Sequence, residues 1–142
     1  VSGGFRLVRR GVWDALGGMD ESFFLYAEEL DFCRRVHACG GLVAMVPRSR
    51  MVHLVGSGDA FSPTRRLMLM RGMATYYRKH FGTTAAVCCL CLHWLGCLVR
   101  LIASLVVGRV TRQRRETLRS YRIVALRPWA WWQGYADGVA AS

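Results

Sequence analysis

The most regular hydrophobic pattern in the first half of the chain runs over residues 27–38. Ala27, Leu30, Cys33 and Val36 recur there at three-residue spacing. This predicts a helix with Glu28, Asp31 and Arg35 on another face, ended by Cys39-Gly40-Gly41. Before it, residues 5–8 read as a short strand, and residues 12–16 as a short helix stopped by Gly17-Gly18. After it, Leu42-Val43-Ala44-Met45-Val46 is apolar throughout and stops at Pro47. That is the pattern of a strand covered on both faces, as in α/β proteins. Residues 50–54 read as a further extended segment and residues 56–59 as loop.

Ser62 followed by Pro63 is a helix-start signal, and the helix it opens is predicted to run to residue 80 and break at Phe81-Gly82. Its apolar positions include Leu67, Met70, Met73, Ala74 and Tyr77, and its basic ones Arg65, Arg66, Arg71, Arg78 and Lys79. Residues 83–108 are then 26 positions in which His93 and Arg100 are the only basic or acidic types. As a helix this segment is roughly 39 Å long, enough for a bilayer's hydrocarbon. Arg100 is costly on a lipid face unless it snorkels.

Charge divides the chain in the same place. Residues 1–60 carry seven Lys/Arg and seven Asp/Glu; residues 61–142 carry thirteen against two, which supplies the whole formal charge of +11. The second part therefore suits an anionic surface. Its arginines flank an apolar run and are accompanied by Trp129, Trp131 and Trp132, a combination of the membrane interface. Arg100, Arg109 and Arg112 are the nearest basic candidates for membrane contact. No zinc-finger spacing or RNA-recognition aromatic motif accompanies the charge, so nucleic acid is not expected as a partner. Cys88, Cys89, Cys91 and Cys97 lie inside the apolar run and read as small hydrophobes rather than as a disulfide framework.

Candidate chemistry concentrates in Glu28-Glu29-Leu30-Asp31, bounded by aromatics and by Arg34-Arg35. Three carboxylates in four residues suit a general base, a divalent cation or a grip on hydroxyls. The same residues also suit a helix N-terminus, where unpaired backbone N–H groups favour acid. Asp31 and Arg35, four apart, are placed for an ion pair. His53, at the end of an extended segment and before Gly56-Ser57, is either a metal ligand or a surface histidine. Phosphate-cradling and dinucleotide glycine fingerprints are absent.

The order of these features resembles a known family. Gly3-Gly4-Phe5-Arg6-Leu7-Val8-Arg9-Arg10, Gly17-Gly18-Met19-Asp20-Glu21-Ser22-Phe23-Phe24-Leu25-Tyr26 and Glu28-Glu29-Leu30-Asp31-Phe32-Cys33-Arg34-Arg35 resemble the latter half of the catalytic domain of family 2 glycosyltransferases, in the rhamnosyltransferase-like branch. His53-Leu54-Val55-Gly56-Ser57 and Tyr76-Tyr77-Arg78-Lys79-His80-Phe81-Gly82 continue the likeness, which covers residues 1–82.

The resemblance implies an α/β fold: part of a GT-A, Rossmann-like domain over residues 1–82, a membrane-associated helix over 83–108, and a basic, Trp-containing tail over 109–142 in a mostly helical C-terminal region. It implies inverting transfer of a sugar, rhamnose at family level, from a nucleoside diphosphate sugar to a glycan or lipid-linked acceptor. Glu28 or Glu29 would be the base, although the branch usually has aspartate at the position of Glu29. Asp31, Arg34 and Arg35 would face the acceptor or be structural, and His53 and Ser57 would lie near the metal or diphosphate. Mg²⁺ or Mn²⁺ would be held mainly by an upstream Asp-x-Asp, which this chain does not contain. The missing N-terminal half of the domain would be a partner in folding, and the chain alone would be inactive. The alternative is a catalytically inactive, membrane-attached interaction module derived from such an enzyme. Either is expected at the cytoplasmic face of the cell membrane, peripheral or with one membrane segment.

Overall fold

The computed structural model describes residues 6–50, 52, 62–106 and 112–135. Helix α1 is Arg10–Leu16, α2 is Glu28–Ala38, α3 is Pro63–Val106 and α4 is Arg112–Leu126, followed by a 3₁₀ turn, Pro128–Ala130. The described residues form no strand. The expected α/β, Rossmann-like GT-A fold is therefore corrected to a helical one. The physical reason is visible at residues 42–46, where the all-apolar segment has no neighbouring strand to take its backbone groups. Leu42 is 85% and Met45 88% exposed, and the segment closes only a local turn, Ser49 N–H to Val46 O. A strand exists through its neighbours, and no neighbour stands beside this one among the described residues. Residues 6–8 are likewise unpaired, and most of residues 50–54 lies outside the described residues.

The helices follow local chemistry. In α1, Arg10 pairs with Asp14 at 3.0 Å. The N–H groups of Gly17 and Gly18 then return to Asp14 O and Trp13 O, closing the helix with Gly17 left-handed. Helix α2 gathers Glu28, Glu29 and Asp31 in its first turn and Arg35 and His37 in its last, as the helix dipole favours. Its N-cap, Ala27, has φ 69° and caps through no side chain. In α3, Ser62 Oγ accepts the Arg65 N–H at 3.3 Å ahead of Pro63. Gly82 interrupts α3 with φ 68° and ψ 167°, a conformation open to glycine and strained for other residues. Two limbs result, residues 63–81 and residues 83–106.

The limbs pack side by side. Tyr77 Oη of the first lies 2.8 Å from His93 Nε2 of the second. Met70 and Ala74 of the first limb form one buried cluster with Leu90 and Cys97 of the second, Val124 of α4, and Trp131. The C-terminal end of α4 leaves carbonyls without helical partners. Arg127 N–H takes Ile123 O, Trp131 Nε1 takes Val124 O at 2.9 Å and Trp94 Nε1 takes Ala125 O at 2.8 Å. Two indoles thus cap α4 while filling the core. Tyr135 reaches back to the start of α2, donating its hydroxyl to Leu25 O at 2.7 Å. Burial pushes that hydroxyl up to about 12, so it stays protonated and able to donate.

Candidate functional site

Two places gather the chemistry: the first turn of α2 and the outer face of the second α3 limb. In α2 the three carboxylates part company. Asp31 is fully buried. It accepts from Arg35 Nε at 2.7 Å and Lys79 Nζ at 2.6 Å, and lies 2.8 Å from His80 Nε2. Lys79 also pairs with Asp20. Arg35 goes on to Leu16 O at 2.9 Å and Gly18 O at 2.8 Å. Burial alone would push the Asp31 carboxyl up; hydrogen bonds from Lys79, Arg35 and His80 outweigh it and hold it below its ordinary value. Asp20 is likewise raised by burial but brought down to about 2 by Lys79 and Ser22. This is an ion network, centred on buried Asp31 and partly open to solvent at Lys79 and Asp20, that joins α1, α2 and α3.

Glu28 and Glu29 are half-buried. Burial, followed by the neighbouring Glu29 charge and a shared hydrogen bond with it, raises the Glu28 carboxyl despite backbone hydrogen bonding. One oxygen of each, Glu28 Oε2 and Glu29 Oε2, is buried without a hydrogen-bond partner, as is Arg6 Nη2. Arg6 Nη1 donates to Glu29 O at 3.3 Å. The turn that delivers this pair holds Tyr26 and Ala27 at φ 66° and 69°, in a region disfavoured for side-chain-bearing residues. A Cβ on Gly72 would come within 2.3 Å of Tyr26 O, so glycine in α3 admits the turn. Arg34 lies over the Phe81 ring, 4.6 Å from its centre, beside the break at Gly82.

The metal expectation placed its main ligands in an Asp-x-Asp that the chain does not carry. Among the described residues no group of three or more His, Cys, Asp or Glu is arranged to hold an ion. His53 and Ser57 lie outside the described residues, as does Arg109.

The second limb of α3 has two apolar faces. Ala86, Leu90 and Cys97 are buried against the rest of the chain, while Val87, Leu92, Leu95, Val99 and Ile102 are exposed. Leu92, Leu95, Val99 and Ile102 recur at spacings of three and four, one stripe along a helix. The stretch Pro63–Ala103 is long and apolar enough to cross a membrane, and only 17% of its most apolar window is buried inside the chain. Arg100 is exposed beside this stripe and folds Nη1 back to Gly96 O at 2.9 Å. Trp129 is 73% exposed, whereas Trp131 is in the core and Trp132 is half-buried. Arg112 opens α4.

Several basic residues of the first limb bind the chain itself. Arg71 Nε donates to Ala130 O at 2.7 Å and Arg78 Nη2 to Trp132 O at 3.1 Å. Arg66 Nε donates to the buried Ser120 hydroxyl at 2.9 Å and stacks over Tyr121. From the sequence they were expected as basic positions of this helix, with Arg71 and Arg78 also within the resemblance. The one available signal was their place beside the apolar stripe of Leu67, Met70 and Ala74.

No protein-family profile matches the chain and no solved structure does. It is similar to the N-acetylglucosaminyl-diphospho-decaprenol L-rhamnosyltransferases of two Mycobacterium tuberculosis strains, CDC 1551 / Oshkosh and ATCC 25618 / H37Rv. Each likeness is 38% identity over 67 residues, 47% of this chain and 22% of the relative. The matched stretch is thus about a fifth of those enzymes. The fold corrects what the resemblance implied. A GT-A enzyme binds its donor outside the carboxyl ends of sheet strands, and the described residues form helices and no strand. Among the described residues, neither an active inverting family 2 glycosyltransferase nor an inactive GT-A remnant is supported.

Proposed function

We propose that this chain is a membrane-attached helical module, held by the outer stripe of the second α3 limb and by arginines that meet anionic headgroups. The observation that carries the reading is a helix apolar on both faces, one packed and the other left to the surroundings. Such a helix is at home in a protein core or in lipid. Arg119, Arg122 and Arg127 are exposed on and after α4, and the exposed Trp129 is of the type that settles at headgroup level.

The attachment is in the plane of the interface. Gly82 folds the first limb back along the second, so an upright second limb would draw Arg65, Arg78 and Lys79 into hydrocarbon. Lying flat, the same hairpin keeps them at headgroup depth. Basic residues on both flanks favour a leaflet with anionic lipids, which supports the cytoplasmic one.

Flotation with vesicles tests this. The chain is expected to rise with phosphatidylglycerol-containing vesicles, to bind phosphatidylcholine vesicles at least tenfold less, and to lose most of that preference in high salt, because each basic residue near the surface contributes about 1 kcal/mol and salt screens it. No flotation, or equal and salt-independent binding to both vesicles, contradicts the reading.

A further inference from the structure

A cavity of about 470 Å³ opens between the two α3 limbs and α4, within the range of small-molecule sites. Leu69 and Met73 of the first limb and Leu92 of the second give it apolar walls, and Arg66 and Arg100 face it from opposite limbs. Leu92 also belongs to the outer stripe, so the cavity mouth is continuous with the face assigned to the bilayer. Arg66 is fixed in place by Ser120 and by the Tyr121 ring, 4.2 Å from its guanidinium carbon. Arg100 is held on its own helix by Gly96 O, and a Cβ at Gly96 would lie 3.0 Å from Arg100 Nη1. Glycine there lets the guanidinium lie close to the helix.

Two arginines in the lining of a largely apolar recess complement an amphiphile with an anionic head. Carboxylates are absent from the lining. A phosphate offers several acceptor oxygens to such forks, and an acyl chain is what Leu69, Met73 and Leu92 would cover. The geometry points to a binding site for one phosphate-headed lipid, its phosphate between Arg66 and Arg100 and its chain along the apolar walls. This deepens the membrane reading and rests on it: attachment would include one lipid held at a defined place, beyond the diffuse attraction of a basic surface.

Calorimetric titration of the full chain in neutral maltoside micelles tests the inference, with phosphatidate, phosphatidylcholine of the same chains, and inorganic phosphate as titrants. Phosphatidate is expected to saturate at one per chain and to bind at least about tenfold more tightly than either other titrant, the size of one charge-assisted interaction. Arg100→Gln, at an exposed position, is expected to weaken phosphatidate about tenfold. Met73→Trp, which fills the recess without changing charge, is expected to weaken it by at least as much. Circular dichroism verifies that both variants are folded.

Equal affinity for phosphatidate and phosphatidylcholine overturns the inference, as does uptake without saturation at one lipid. Inorganic phosphate binding as tightly as phosphatidate overturns the lipid as occupant. Parent-like phosphatidate binding by either folded variant overturns the location. The maltoside is itself uncharged, so diffuse attraction to added phosphatidate shows as uptake without saturation at one lipid, and this assay and vesicle flotation fail independently.

Discussion

The acidic network at α2 and the outer face of the second α3 limb treat polarity in opposite ways. At α2, Asp31 is withdrawn from water with Arg35, Lys79 and His80 around it. On α3, Leu92, Leu95, Val99 and Ile102 are left outside although they are apolar. In the first case the buried Asp31 carboxylate meets Arg35 and Lys79, which offset its desolvation. The second has no compensating partner within the chain. A carboxylate can be buried here because cations surround it, whereas an apolar stripe with nothing packed on it within the described residues calls for apolar surroundings.

The largest effect is expected where the network is broken. Asp31→Ala leaves Arg35 and His80 without their acceptor and Lys79 with Asp20 alone, and is expected to cost about 3 kcal/mol, read by chemical denaturation. A loss under about 1 kcal/mol would remove the network from the account of stability. On the packed face of α3, Leu90→Ala is expected to cost about 2–5 kcal/mol while the folded fraction still binds vesicles. On the outer face the result inverts. Leu95→Asp with Val99→Asp is expected to change unfolding by no more than about 1 kcal/mol in all, as at surface positions. The same pair is expected to lower vesicle binding more than tenfold, since it removes two apolar side chains from the membrane face and puts two anions against an anionic surface. Equal behaviour of the two faces would erase the comparison.

Acid sharpens it further. Asp20 and Asp31 are both held below their ordinary values, so their contribution is fully present above the unfolded carboxylate range, near 3.8. It is lost as pH falls through the folded values, about 2 for Asp20. Glu28 has the opposite sign: its raised carboxyl favours the folded chain at low pH, and that gain is lost as pH rises through its folded value. Thermal midpoints are expected to fall from about pH 4 toward pH 2, and Asp20→Asn to flatten the fall. The smallest effect belongs to Trp129→Ala, expected to weaken vesicle binding only a few-fold, as one interfacial anchor among several.

The sequence made the local features legible. The α2 helix was expected over residues 27–38 and is Glu28–Ala38; Ser62-Pro63 opens α3, and Gly82 breaks it. Each is written in residues within a few positions of one another. The strands were not legible in the same way. Residues 42–46 carry a strand's composition, but a strand is completed by another segment, and the resemblance over residues 1–82 supplied a sheet that the described residues do not form. In the acidic cluster the Asp31–Arg35 pair was one of two open readings, since four-residue spacing is local. Lys79 and His80 arrive from almost fifty residues away, which no spacing rule discloses. The tryptophans show the same limit. Trp129 is exposed and Trp131 buried two residues later, because the carbonyl that Trp131 satisfies belongs to the end of α4.

The most direct test is photolabelling from within the bilayer. A diazirine on a lipid chain is activated with the full chain bound to anionic vesicles, and carbene insertion is read residue by residue by mass spectrometry. Insertion is expected at Leu92, Leu95, Val99 and Ile102, with Leu90 and Ala86 spared, a pattern with the period of one helical face. Equal labelling on both faces of the limb, or none above a water-soluble carbene control, would contradict it.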